Sequence, residues 1–138
     1  MNMGLDMYAF KTRKDNITLR TDEDNNRAIG YVNSDEIVEL KYWRKFNALH
    51  AFFENYWREK LGNDGEFNCV LVEVNEDVLQ LLEQAVKDKE LVPVTGFFFG
   101  SQEPLDEDDY EDVSDFIAKV RKVHKEEPDY TVLYDSWW

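Results

Sequence analysis

The segment DEIVELKYWRKFNALHAFFENYWREKL, residues 35–61, decides how the fold of this chain is read. Its apolar residues Ile37, Leu40, Trp43, Phe46, Phe53 and Trp57 recur at roughly 3.6-residue spacing, and Tyr42, Leu49 and Tyr56 widen the stripe. Asn33 and Ser34 offer an N-cap, Asp35 and Glu36 suit the positive end of a helix dipole, and Gly62 supplies a stop. The pattern predicts one long helix over residues 35–61. On such a helix Trp43, Asn47 and His50 share a face, with Phe46, Phe53 and Trp57 beside them. Two readings of that amide and imidazole compete: they sit at the edge of the stripe or are buried and hydrogen-bonded to backbone, or they line a pocket wall facing a ligand or partner. So wide a stripe also implies cover on two sides, by a sheet and by a further helix or a second subunit.

Working outward, residues 5–10 alternate as a half-buried strand does, and a short strand at residues 17–20 is placed to pair with it. The polar run at residues 21–27 reads as a hairpin loop before a strand at residues 28–32, completing a small antiparallel meander. After the turn GNDG, residues 67–74 read as a strand containing Cys69 in an apolar run. Asn75 caps a helix striped by Val78, Leu81, Leu82, Ala85 and Val86. Residues 91–94 and 97–99 flank a turn or bulge at Gly96. Tyr110, Val113, Ile117, Val120 and His124 share one face of a third helix, Pro128 ends it, and residues 130–134 form a last strand. Strands first, then helices and strands intermixed, predict an α+β fold: a largely antiparallel sheet packed against one long amphipathic helix and two shorter helices.

A chain of 138 residues fits a single domain, residues 1–138, with one core. At 43% hydrophobic and 14% aromatic residues the composition is that of a globular protein despite its negative mean hydropathy. The net charge of −14 is unevenly spread. Residues 1–60 hold ten acidic and ten basic side chains, whereas residues 61–138 hold twenty acids against six bases. That sign argues against direct contact with nucleic acid or an anionic membrane, and suits a basic protein partner. No stretch is apolar enough to span a membrane, and the N-terminal residues lack a continuous apolar core like that of a secretion signal. A single cysteine excludes an intramolecular disulfide and fits a reducing compartment, so the expected location is the cytoplasm.

Few motifs carry chemistry. TGFFFGS, residues 95–101, sets three phenylalanines between two glycines, either a core strand with glycine punctuation or a pocket floor beneath Trp43 and His50; it has neither a phosphate-loop lysine nor a dinucleotide spacing. Glu103, Asp106, Glu107, Asp108, Asp109, Glu111, Asp112 and Asp115 form an acidic run with no basic residue. It is read as a solvated helix start, with a DNA-mimicking surface as the sharper alternative. His50 and His124 belong to no metal-ligand pattern, the acidic run lacks an EF-hand spacing, and no nucleophile motif is present. No cofactor, metal or enzyme class is therefore expected.

GLDMY at residues 4–8, YWRKFNALH at residues 42–50, GFFFGS at residues 96–101, and Tyr134 followed by Ser136 and Trp137 stand in one order along nearly the whole chain. Together they resemble a family of small phage and prophage proteins with no established reaction, in which the corresponding blocks read MGLDMY, YWRKxNxxH, GFFFGS and a YxSSW-like end. This sequence departs from that pattern at Asp135, where a serine is expected. The resemblance implies that Met3 is the natural start and that the setting is the host cell. It implies a phage accessory protein, non-enzymatic, that binds a host factor or small host-derived ligand, for instance to blunt a defence system. The candidate ligand-binding residues are Trp43, Arg44, Asn47, His50, Phe98 and Trp137: Arg44 supplies a two-pronged donor and the aromatics a stacking surface. Two alternatives stay open, an acidic decoy acting through the 103–115 run and a small enzyme on a nucleotide-like substrate with His50 as general acid or base. A homo-oligomer burying the rest of the stripe with Trp137 and Trp138 is a further expectation.

Overall fold

The computed structural model describes residues 4–21, 27–62, 65–91 and 105–137. In chain order the elements are β1 (Asp6–Arg13), a short 3-10 helix (Lys14–Asn16), β2 (Ile17–Thr21), β3 (Arg27–Val32), β4 (Ile37–Arg44), α1 (Asn47–Glu59), β5 (Val72–Glu73), α2 (Glu76–Lys87), α3 (Glu107–Glu126) and β6 (Tyr130–Trp137). The expected α+β class with an antiparallel sheet, one long helix and two shorter ones is what forms.

The long helix is α3, not residues 35–61. That segment divides into a strand and a helix, which corrects the helical reading of its first half. Ile37, Val38, Tyr42 and Trp43 are residues that favour a pleated surface, and β4 pairs antiparallel with β1 from Asp6↔Arg44 to Thr12↔Ile37. The would-be N-cap is engaged elsewhere. Ser34 Oγ donates to Asn16 Oδ1 at 2.8 Å, Asn16 Nδ2 donates to Thr12 Oγ1 at 2.9 Å, and Thr12 Oγ1 donates to the Glu36 carbonyl at 2.7 Å. These bonds tie the start of β4 to the end of β1. Lys45, at φ 57°, then turns the chain out of the strand, and α1 begins at Asn47 without a side-chain cap at Phe46.

One extra residue hid the strand. Ala9 faces Lys41 and Phe10 faces Glu39, so Leu40 is a bulge that shifts the alternation by one. The apolar residues on either side of it then fall at helix-like spacing. C-terminal to the bulge the period of two is plain: Trp43 is 6% exposed between Tyr42, 44% exposed, and the exposed Arg44.

The four-stranded sheet has the order β4-β1-β6-β5, and its pairs are all antiparallel. β2 and β3 pair with each other in a separate two-stranded sheet, so the expected meander with β1 does not form. Residues 67–74 contribute only the two residues of β5, and Cys69 is exposed at φ 58° rather than buried in a strand. One face of the sheet, with Met7, Ala9, Trp43, Val132 and Tyr134, forms the core with the helices. α1 brings Leu49, Phe53 and Trp57, α2 brings Val78, Leu79 and Leu82, and α3 brings Val113, Phe116, Ile117 and Val120. The Asn75 side chain accepts from Val78 N, as its position predicts, and Asp106 and Asp109 close a reciprocal capping box at the start of α3.

Candidate binding face

The strand and bulge separate the residues that helical spacing put together. Trp43 lies on the core face of β4, its ring edge-on to Phe116 at 4.9 Å between centroids, and its Nε1 donates to Asp112 Oδ2 at 2.7 Å. His50 lies on α1 in a different part of the core, 6% exposed. Its Nδ1 meets the Tyr134 hydroxyl at 2.7 Å, while Phe67 packs against the imidazole at 5.1 Å and Phe53 stacks on the Tyr134 ring at 3.9 Å. Burial drives the His50 pKa down to about 4 and that of Tyr134 well above its ordinary value, so both groups are neutral at pH 7. Asn47 opens α1, half-buried. Phe98, with the GFFFGS segment, and Glu103 lie outside the described residues.

Arg44 and Trp137 come together on the opposite face of the sheet. Register across β4, β1 and β6 places Arg44, Asp6 and Trp137 in one row and Tyr42, Tyr8 and Asp135 in the next. Tyr42 and Tyr8 rings lie 5.1 Å apart, and the Tyr42 hydroxyl donates to Asp6 Oδ1 at 2.6 Å. Trp137 is 61% exposed, and Arg44 makes no ion pair among the described residues. Further along this face Phe10 and Leu133, paired between β1 and β6, are buried. The open part is therefore an aromatic and arginine surface, whose rigid rings offer contact area at small entropic cost.

Asp135 is the one strongly perturbed acid on this face. Burial raises its pKa to about 6, although the Ser136 N–H donates to its Oδ1 at 2.9 Å. Cys69 is nearby, its N–H donating to the Ser136 carbonyl; desolvation and then the charges of Asp135 and Glu66 push its thiol pKa up, away from a reactive thiolate.

The acidic run has largely internal uses. Asp106 and Asp109 form the capping box, Glu107 pairs with Lys89, and Asp112 bridges Lys41 and the Trp43 indole. Asp108, Glu111 and Asp115 are exposed to solvent.

A polar cleft of about 260 Å³ was not foreseen from the sequence. Lys14, Glu73, Glu76, His124, Tyr130 and Thr131 line it, with His124 Nδ1 3.0 Å from Glu76 Oε1 and Thr131 Oγ1 donating to Glu73 Oε2 at 2.6 Å. These residues come from five separate elements, so no local spacing announces them. Among the described residues no group of His, Cys, Asp and Glu is arranged to hold a metal ion, and no helix is long and apolar enough to cross a membrane. Comparison of the chain with known family models, curated proteins and solved structures gives no match.

Proposed function

We propose that the chain is a non-enzymatic accessory protein of a phage or prophage that binds a host protein through the outer sheet face bearing Arg44, Tyr42, Tyr8 and Trp137. The observation that carries this reading is the exposure, on neighbouring strands of one sheet face, of an indole, a phenol and a guanidinium that makes no ion pair among the described residues, the side-chain types that dominate binding energy at protein interfaces. The exposed, open part of a sheet face suits a protein better than a small host-derived ligand, which favours an enclosed pocket. The resemblance to phage proteins supplies the host setting.

The other two readings have less support. A general acid or base must reach a substrate, and His50 is enclosed among Tyr134, Phe67 and Phe53. An acidic decoy needs free charge, and Asp106, Glu107, Asp109 and Asp112 already serve capping and pairing within the fold. The test is a host-cell phenotype assay with tagged protein: Arg44→Ala combined with Trp137→Ala should abolish both the phenotype and co-purification of the partner while the fold is kept. Unchanged phenotype and recovery would overturn the reading.

A further inference from the structure

β4 is an edge of the sheet, and its outward backbone groups can be identified. The Lys45 N–H donates to the Leu5 carbonyl at 2.8 Å, which makes Leu5 and Lys45 a hydrogen-bonded pair. In an antiparallel ladder such pairs alternate with pairs whose N–H and C=O groups point away from each other. Met7 and Trp43 then bond across the strands, while the N–H and C=O of Tyr42 and Arg44 point away from β1 into the space beyond the sheet. The next outward carbonyl, that of Leu40 at the bulge, is taken by Lys119 Nζ at 3.1 Å. Open groups of this kind are a template for an added strand, and bulges and lysines are the usual means of protecting them. Here the bulge and the Lys119 contact stop at Leu40, and among the described residues no group bonds to the outward N–H and C=O of Tyr42 and Arg44.

The flank of α3 above that edge indicates what would occupy it. Asp112 reaches Lys41 and Trp43 on β4, and Lys119 reaches the Leu40 carbonyl, so this side of α3 overlooks the edge. Helical spacing puts Asp108 and Asp115 on the same stripe as Asp112 and Lys119. Both are exposed, and neither engages a cation among the described residues. An added strand lies about 4.8 Å beyond β4, beneath this stripe. A second copy of the chain paired through β4 would bring two such acidic stripes side by side on one face, which like-charge repulsion opposes. A basic segment gains from the same charges.

We infer that the β4 edge at Tyr42 and Arg44 accepts an extended, basic segment of a partner protein as an added strand, its cationic side chains beneath Asp108 and Asp115 and its alternate side chains beside Tyr42 on the outer face. This rests on the host-protein reading above and gives it a binding mode.

The probe is a short alternating lysine/valine peptide titrated into the full chain, with a glutamate/valine peptide and a lysine/valine peptide N-methylated at alternate amides as controls. Amide hydrogen exchange by NMR should slow at least about tenfold at Tyr42 and Arg44 when the lysine peptide binds. Binding should weaken with salt, and both controls should bind at least about tenfold more weakly. Tyr42→Pro removes an outward N–H without removing a ladder bond, and should weaken the lysine peptide about tenfold or more while Tyr42→Phe does not. Should Tyr42→Pro fail to fold by circular dichroism, the N-methylated peptide makes the same test from the other side. Asp108→Asn with Asp115→Asn should reduce the preference for the lysine peptide. Binding without protection of the two amides, equal binding of the glutamate peptide, or a dimer of the chain that protects the same amides would overturn the inference. In the host assay, a wild-type result for Tyr42→Pro beside loss in Arg44→Ala/Trp137→Ala overturns strand addition alone, whereas no loss in either overturns the binding face itself.

Discussion

His50 Nδ1 and the Tyr134 hydroxyl meet at 2.7 Å inside a box of rings formed by Phe53 and Phe67, joining α1 to the centre of the sheet. A helix residue and a strand residue 84 positions apart thereby share one buried polar bond. Because burial pushes the Tyr134 pKa well above its ordinary value, the phenol stays protonated in acid and the pair responds to acid only through the imidazole.

The folded chain binds the His50 proton more weakly than the unfolded chain does, since the pKa falls from 6.5 to about 4 on folding. The stability contributed by neutral His50 is complete above pH 6.5 and is lost as the pH falls from 6.5 toward 4. The full loss is about 3 kcal/mol, at about 1.4 kcal/mol per unit. Urea unfolding between pH 7 and pH 4 should show this slope in the parent and a smaller one in His50→Gln. NMR titration of the imidazole protons should give a midpoint near 4.

Asp135 acts with the opposite sign. Its folded pKa, about 6, lies above the unfolded value of 3.8, so the folded chain binds this proton more tightly and gains stability as the pH falls through 6. At pH 7 the buried charge is a cost. Asp135→Asn keeps an acceptor for the Ser136 N–H, and should stabilise the protein at pH 7 by on the order of 1–2 kcal/mol, with the gain vanishing toward pH 4. A destabilised Asp135→Asn at pH 7 would contradict this.

Within the acidic run, substitutions should divide by use. Asp112→Ala removes the acceptor of both Lys41 and the Trp43 indole, leaving a half-buried N–H without its bond, and should cost about 1–3 kcal/mol. Asp108→Ala, at an exposed position, should change stability by less than about 0.5 kcal/mol. Thermal unfolding of the two variants side by side checks the difference.

Lys45 sits at φ 57°, in the left-handed region that side chains with a Cβ disfavour. Lys45→Gly relieves that strain at the joint between β4 and α1 and should raise stability by about 0.5–1 kcal/mol, measured as a higher urea midpoint with unchanged slope.

The parts of the fold legible in the sequence were those written in local chemistry. Asn75 marks a helix start through the bond its own side chain makes, the acidic run marks the start of α3 by its charge, and Val113, Ile117 and Val120 mark the buried face of α3 by spacing alone. IVELKYWR was misread because its decisive feature, the bulge at Leu40, depends on pairing with β1 some thirty residues away. Of the binding residues, Arg44 and Trp137 share a face only through the register of β4, β1 and β6, while Trp43 and His50, adjacent in a helical reading, occupy separate parts of the core. The cleft around His124 and Glu76 is likewise a product of tertiary assembly.

The strand order β4-β1-β6-β5 has a consequence for how the chain reaches its native state. β1 and β6 come from opposite ends of the described chain, yet they are the two central strands, paired from Asp6↔Trp137 to Arg13↔Tyr130. During synthesis the N-terminal strands can meet early, but the middle of the sheet stays open until Trp137 has left the ribosome. Closing so long a loop is slow, and until then the exposed strand sides are available to any other chain. Closure of this sheet therefore waits until β6 has been made, long after β1.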